Sequence, residues 1–320
     1  MWSERKNSPE FETERIALPD DYEGKAAATL VKSPSPAHPG RAVLYLHGYI
    51  DYFFQTHLAE RFVADGYRFY ALDLRRYGRS LLPGQRPYYV RSLADYYPEI
   101  DRVVETIRAE GNDFLVLLGH STGGLIASLY CAEGRERRHI DRLILNSPFF
   151  EFNTGWFKRK IAIPLAGAWS RMFPYARKKN ELSPYYADSV HRSLRGEWDY
   201  DLTLKPREGV PLYFAWLRAI RLGQRKVKRG LHLTIPVLVL HSDRSSWHRT
   251  WHEDYTRTDA VLNVAHIRRY AARLGDDVTD AEIPGGLHDL ALSRKEAREL
   301  FFRTMEAWLR ERGGNAKAGG

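Results

Sequence analysis

A single cysteine among 320 residues, Cys131, can form no internal disulfide and supplies no thiolate set for a structural zinc or iron–sulfur centre. Long apolar runs are also missing: charge or proline interrupts every stretch before the roughly 20 residues needed to cross a bilayer. The opening MWSERKNSPEFETERIALPD has no apolar core of a secretory leader, so the cytoplasm is the expected compartment. Neither G-x-x-x-x-G-K-[ST] nor G-x-G-x-x-G occurs, which excludes the two common glycine-rich phosphate loops. No segment repeats at a fixed period.

What is present suits a globular protein with one large core, or one core carrying an insertion, since 43% of residues are hydrophobic and 28% charged. The formal charge of +9 is unevenly placed. Residues 151–230 hold 17 Lys and Arg against 7 Asp and Glu, a surplus of 10, while the remainder sums to −1. Such a stretch is either a solvated face or a contact for anionic lipid or an acidic substrate. Nucleic acid is not expected, because the basic residues alternate with apolar ones and no recognition motif accompanies them.

Six short apolar runs, RAVLYLHG, YRFYALDL, DFLVLLGHS, DRLILNSP, IPVLVLHSD and VTDAEIPG, predict the strands of a mostly parallel sheet. Between them, THLAERFVADG and LADYYPEIDRVVETIRAEG carry apolar residues at three- and four-residue spacing and end in glycine, as helices do. SRKEARELFFRTMEAWLRERGG predicts the last helix, with Ser293 and Glu296 spaced for a capping box. The rhythm breaks once, between DRLILNSP and IPVLVLHSD. Residues 151–230 are rich in Trp, Tyr, Lys and Arg, interrupted by Pro164, Pro174, Pro184, Pro206 and Pro211, and predict a helical insertion. The expected organisation is a core of 1–150 and 231–314, a cap of 151–230, and a flexible tail of 315–320.

Gly119-His120-Ser121-Thr122-Gly123 fits the G-x-S-x-G nucleophile elbow. A serine presented on so tight a turn leaves no room for side chains two residues away, and the flanking FLVLL and GGLIASLYCA supply the strand and helix the turn requires. A serine hydroxyl needs a base. His288 in IPGGLHDLAL stands after the last expected strand, where the Ser, acid, His order puts it; adjacent Asp289 is not expected to orient it. Oxyanion donors are expected from the Thr122 N–H and, after the first parallel strand, from Tyr49 in His47-Gly48-Tyr49. His47 and Asp73 read as braces of their loops, and Cys131 as buried and inert. His248 and His252, with Glu253 nearby, have the spacing of a metal pair, but no third ligand follows at motif spacing, so no metal and no cofactor are expected.

LYLHGYIDYF, ALDLRRYGRS, LLGHSTGG and LNSPFF, in this order, resemble the α/β-hydrolase superfamily, and within it the lysophospholipase and monoacylglycerol-lipase-like, serine aminopeptidase-like group. The resemblance spans about residues 41–150 and 233–310. It implies an α/β-hydrolase fold, a Ser-Asp-His triad, no cofactor, and a helical cap over the site. Two features depart from the group: YIDYF is bulkier than its usual turn, and the acid lies in a long segment offering Asp243, Asp254 and Asp259. Asp259, just before AVLNVAHIRRYAARLG, resembles the group's acid-x-Val step into a helix and is preferred; Asp243, near the strand end, is the alternative.

The resemblance implies a serine hydrolase of carboxylic esters, in particular fatty-acyl esters such as monoacylglycerol or lysophospholipid. Trp156, Phe157, Trp169 and Phe173 would line the acyl pocket, and the basic cap would face water or an anionic membrane. A thioesterase, an amidase or peptidase on the same triad, and a noncatalytic binding protein or scaffold are the alternatives. Oligomeric state is left open.

Overall fold

The computed structural model describes residues 11–34, 40–179, 183–208 and 210–313. All six predicted strands form: β3 (Arg41–Leu46), β4 (Arg68–Asp73), β5 (Phe114–His120), β6 (Arg142–Asn146), β9 (Val237–Ser242) and β10 (Val278–Ile283). They pair in parallel. An N-terminal hairpin, β1 (Glu12–Asp21) and β2 (Gly24–Lys32), extends the sheet antiparallel to β4, giving the order β1-β2-β4-β3-β5-β6-β9-β10. The hairpin was not foreseen. Most of β1 is exposed and polar, so it carries little of the apolar signal that marks the inner strands.

The inner strands read as continuous apolar runs because helices cover both sheet faces. Ala42, Leu44 and Leu46 of β3 join one core, Val43 and Tyr45 the other, and β5 and β9 split their side chains in the same way. Helices α1 (Thr56–Ala64) and α8 (Lys295–Gly313) flank the second core; α2 (Tyr97–Ala109) and α3 (Thr122–Glu133) flank the first. The Ser293 hydroxyl accepts the Leu287 N–H at 2.9 Å, tying the entry of α8 to the loop of His288.

From β3 the chain crosses to β4 on one side, then returns to β5 on the other side of β3. The carboxyl ends of β3 and β5 therefore flank the point where strand order reverses, the place where open α/β sheets leave a crevice.

Between β6 and β9 lie α4 (Ile163–Met172), α5 (Tyr185–Val190) and α6 (Phe214–Arg229). This stretch is not wholly helical: β7 (Arg177–Lys179) pairs antiparallel with β8 (Pro211–Tyr213). The three residues of β7 are all exposed and cationic, so no apolar alternation marked it as a strand. The expected 315–320 tail lies outside the described residues.

Candidate active site

Ser121 stands between β5 and α3 at φ 52° and ψ −115°, a backbone conformation that costs a non-glycine residue of order 1–3 kcal/mol and persists only where its surroundings impose it. The surroundings are tight. A Cβ on Gly123 would lie 2.3 Å from the Leu46 carbonyl oxygen, and one on Gly119 would lie 2.6 Å from that of Gly123. The two glycines therefore let α3 start against the end of β3 with the serine held at the apex.

His288 brings Nε2 to 3.0 Å from Ser121 Oγ, and its Nδ1 lies 3.0 Å from Asp259 Oδ2. All three residues are buried. The loops after β5, β9 and β10 thus converge on one line of hydrogen bonds. The other oxygen of Asp259, Oδ1, accepts the Val261 and Leu262 N–H groups at 2.8 and 2.7 Å, which fixes the carboxylate plane. Asp243 lies elsewhere: its Oδ1 accepts the Gly285 N–H at 3.0 Å and so braces the turn before His288. Asp289 also turns away, accepting from Gln55 Nε2 at 2.9 Å and Asn146 Nδ2 at 2.8 Å.

Gly48 presses the loop after β3 against Ser121, since a Cβ there would sit 3.2 Å from Ser121 Cβ and 3.1 Å from His120 Cδ2. Tyr49 follows on that loop. Thr122 opens α3, where a first-turn N–H has no partner within its own helix. His47 braces the loop, its Nε2 accepting the Leu74 N–H at 3.0 Å and its Nδ1 donating to the Gly48 carbonyl at 2.8 Å. Burial lowers its pKa, in keeping with that neutral form. Asp73 accepts the Phe53 and Arg79 N–H groups. Cys131 is partly rather than fully buried, and burial of its thiol pushes the pKa up.

The sequence did not reveal a buried polar layer near Ser121 and His288. His120, Asp51 and Asp289 lie close together and buried, and Lys205 reaches in from the insertion to place Nζ 2.6 Å from Asp51 Oδ1. These residues come from four separated segments with no shared motif, so no spacing announces them. Burial favours the neutral acid at Asp289, but His120, Gln55, Lys205 and Asn146 outweigh it and lower the pKa.

Burial is also the main cause that holds the His120 imidazole down to about 4. Its Nδ1 lies 3.2 Å from the Asn146 carbonyl. The unfolded chain, with an ordinary histidine, takes up this proton first as pH falls, so the contribution to stability is present above about 6.5 and lost progressively toward 4. Between pH 7 and 5 the loss from this group is about 2 kcal/mol. Denaturant unfolding of wild type and His120→Gln at the two pH values checks it; an equal loss in both would refute the assignment.

The aromatic residues expected to line an acyl pocket, Trp156, Phe157, Trp169 and Phe173, are 63, 63, 54 and 47% exposed. Trp169 and Phe173 stack on each other at 4.6 Å on the outside of the insertion. Trp156 and Phe157 precede α4, Trp169 lies on it and Phe173 follows it, while α6 uses Ala215, Trp216, Ala219 and Ile220 to contact the core. Nearer Ser121, the Phe149 N–H donates to the Ser121 carbonyl at 3.0 Å, and Trp216 packs on Tyr49 at 4.2 Å. From α5, Tyr186 sets its ring edge-on to His288 at 5.5 Å.

Comparison with known proteins agrees with this architecture. The profile of the family described as serine aminopeptidase, S33, matches residues 37–294. A monoacylglycerol lipase from Mycolicibacterium smegmatis is 27% identical over 276 residues, covering 85% of this chain and 88% of that protein. Among solved structures, a monoglyceride lipase from Saccharomyces cerevisiae superposes with a TM-score of 0.70 at 18% identity over 96% of both chains. The monoacylglycerol lipase of Paleococcus ferrophilus gives 0.64 at 20% identity, over 95% of this chain and 99% of that one. At those identities the structural likeness establishes the fold, and the family match extends over most of the chain. With its sheet order and strand-to-helix elbow in place, the chain belongs to the serine aminopeptidase S33 family of α/β-hydrolases.

Proposed function

We propose that this protein is a serine hydrolase of carboxylic esters, acting on fatty-acyl esters of the monoacylglycerol or lysophospholipid kind. The observation that carries the reading is the Ser121–His288–Asp259 line, with both hydrogen-bonding distances at 3.0 Å and the Gly48 loop held against the serine. His288 Nε2 takes the Ser121 proton as Oγ attacks the ester carbonyl, then returns it to the departing alcohol; water repeats the sequence on the acyl-enzyme. Asp259 keeps the proton of the resting imidazole on Nδ1 and stabilises the imidazolium. The N–H groups of Tyr49 and Thr122 receive the oxyanion.

The M. smegmatis relative, a monoacylglycerol lipase, supports an acylglycerol over a peptide. So does the basic insertion, which would repel rather than hold a peptide's ammonium end. Residues 151–230 act as the cap, and Tyr186 is the group through which it touches the catalytic histidine. The exposed Trp156, Phe157, Trp169 and Phe173, interleaved with cationic side chains, suit contact with an anionic lipid surface.

Hydrolysis of p-nitrophenyl esters of increasing acyl length, with wild type beside Ser121→Ala, tests the reading. Turnover falls by at least 10³-fold in the variant, and the chain-length optimum sizes the acyl site. Monoacylglycerol dispersed in anionic vesicles is cleaved faster than in zwitterionic ones. Turnover unaffected by the substitution, or absent on every ester, defeats the assignment.

A further inference from the structure

The elbow motif fixes glycine at 119 and 123 and serine at 121, and it leaves the residue after the serine open. Here that residue is threonine. Thr122 is 2% exposed, and its Oγ1 is buried with no hydrogen-bond partner among the described residues. A hydroxyl taken out of water without a partner weakens a fold, and the few that native structures keep call for a reason.

The place of Thr122 in the chain explains why the fold leaves it unsatisfied. A hydroxyl inside a helix donates to the carbonyl one turn back, as Ser128 Oγ does to Gly124 at 2.7 Å in the same α3. Thr122 is the first residue of α3, so no helical carbonyl lies a turn behind it. A hydroxyl at the N-cap accepts from the first turn, but that position belongs to Ser121, whose Oγ lies 3.0 Å from His288 Nε2. The first helical bond of α3 runs from the Leu125 N–H to the Ser121 carbonyl at 3.2 Å, and the Thr122 N–H has no partner within its own helix either. One residue thus holds two donors, N–H and O–H, that α3 does not use. Staggered geometry about Cα–Cβ keeps Oγ1 about 2.9 or about 3.7 Å from its own nitrogen. An oxygen that accepts the N–H is therefore within reach of the hydroxyl.

We propose that the Thr122 hydroxyl is a third oxyanion donor, beside the N–H groups of Tyr49 and Thr122; this rests on the serine-hydrolase reading above. As Ser121 Oγ bonds to the ester carbonyl carbon, the carbonyl π pair moves onto its oxygen and the serine proton passes to His288 Nε2. Thr122 keeps its own proton and directs it at that oxygen. A donor that the fold leaves unpaired gains its acceptor as negative charge develops, so the contact strengthens from ground state to transition state.

Steady-state hydrolysis of a p-nitrophenyl ester by the full chain compares wild type with Ser121→Ala, Thr122→Val and Thr122→Ser. Thr122→Val, which exchanges the hydroxyl for a methyl of similar size, lowers kcat about 10²-fold and leaves KM nearly unchanged. Thr122→Ser, which carries a hydroxyl on the same carbon, recovers about tenfold or more of that loss. Inhibition by an alkyl trifluoromethyl ketone, whose Ser121 adduct bears the oxyanion, weakens in Thr122→Val by the same factor as kcat/KM. The thermal midpoint of Thr122→Val does not fall, because the fold loses no hydrogen bond. Turnover that survives Ser121→Ala overturns the hydrolase reading and this contact with it. Serine-dependent turnover that Thr122→Val leaves within about threefold of wild type, or a loss that comes with a lowered midpoint and is not recovered by Thr122→Ser, overturns the contact alone.

Discussion

Asp259→Asn lowers kcat on a reactive ester by about 10⁴-fold, the scale set by forcing a triad histidine into the wrong tautomer. The geometry dictates that outcome. Asp259 Oδ1 accepts the Val261 and Leu262 N–H groups, so an asparagine must keep its carbonyl oxygen there and turn its NH₂ toward His288 Nδ1. Nδ1 must then accept, which moves the imidazole proton to Nε2, where it can no longer receive the proton of Ser121. Folding is little affected, because both loop hydrogen bonds survive. Asp243→Asn is the control: an asparagine carbonyl still accepts the Gly285 N–H, and kcat stays within about tenfold of wild type. Steady-state kinetics of the two variants decide the matter. A large loss in Asp243→Asn with near-normal Asp259→Asn would reverse the roles of the two acids.

Lys205→Met destabilises the fold by about 3–5 kcal/mol, the range for removing one partner of a buried ion pair. Asp51 is 1% exposed, its Oδ1 is held by Lys205 Nζ at 2.6 Å, and its Oδ2 has no hydrogen-bond partner among the described residues. Without the ammonium the carboxylate is stranded beside the loop that carries Tyr49. The loss is specific to the charge, so adding Asp51→Asn to Lys205→Met recovers most of it, even though a second native side chain has been removed. Urea unfolding at pH 7 of wild type, the single variant and the pair measures the coupling. A single-variant loss below about 1 kcal/mol would mean that Asp51 is stabilised by something other than Lys205.

The same pair shows how the insertion is fastened. Lys205 enters the polar layer, the Asp201 N–H donates to Tyr52 at 2.8 Å, and Trp198 Nε1 donates to the Leu292 carbonyl at 2.7 Å. Residues 198–205 are thus tied to the core, while α4 leaves Leu165, Trp169 and Met172 exposed.

Local patterns made much of this legible. Strands buried on both faces must be apolar throughout, so β3, β5, β6 and β9 stand out from the polar segments around them. The elbow is legible because its glycines are steric necessities: a Cβ on Gly123 would meet β3 at 2.3 Å. His288 follows from its place after the last strand. β1 and the three-residue β7 escaped because exposed strands need no apolar pattern, and buried β2 because much of its buried run is Ala26, Ala27 and Ala28, a residue type depleted in strands. The outward facing of Trp156 and Trp169 escaped because an aromatic residue carries the same letter whether it faces a pocket or solvent.

The succession of strands and helices, the glycine-framed serine turn and the late histidine are legible along the chain, because each depends on residues adjacent in sequence. That Asp259 rather than Asp243 lies against His288 is a matter of tertiary packing, since the two acids differ in the direction of a side chain relative to a loop 29 residues beyond Asp259. The same packing assembles Asp51, His120, Lys205 and Asp289. Buried charge depends on where distant backbones meet, and that is set by the packing of the whole sheet and its helices.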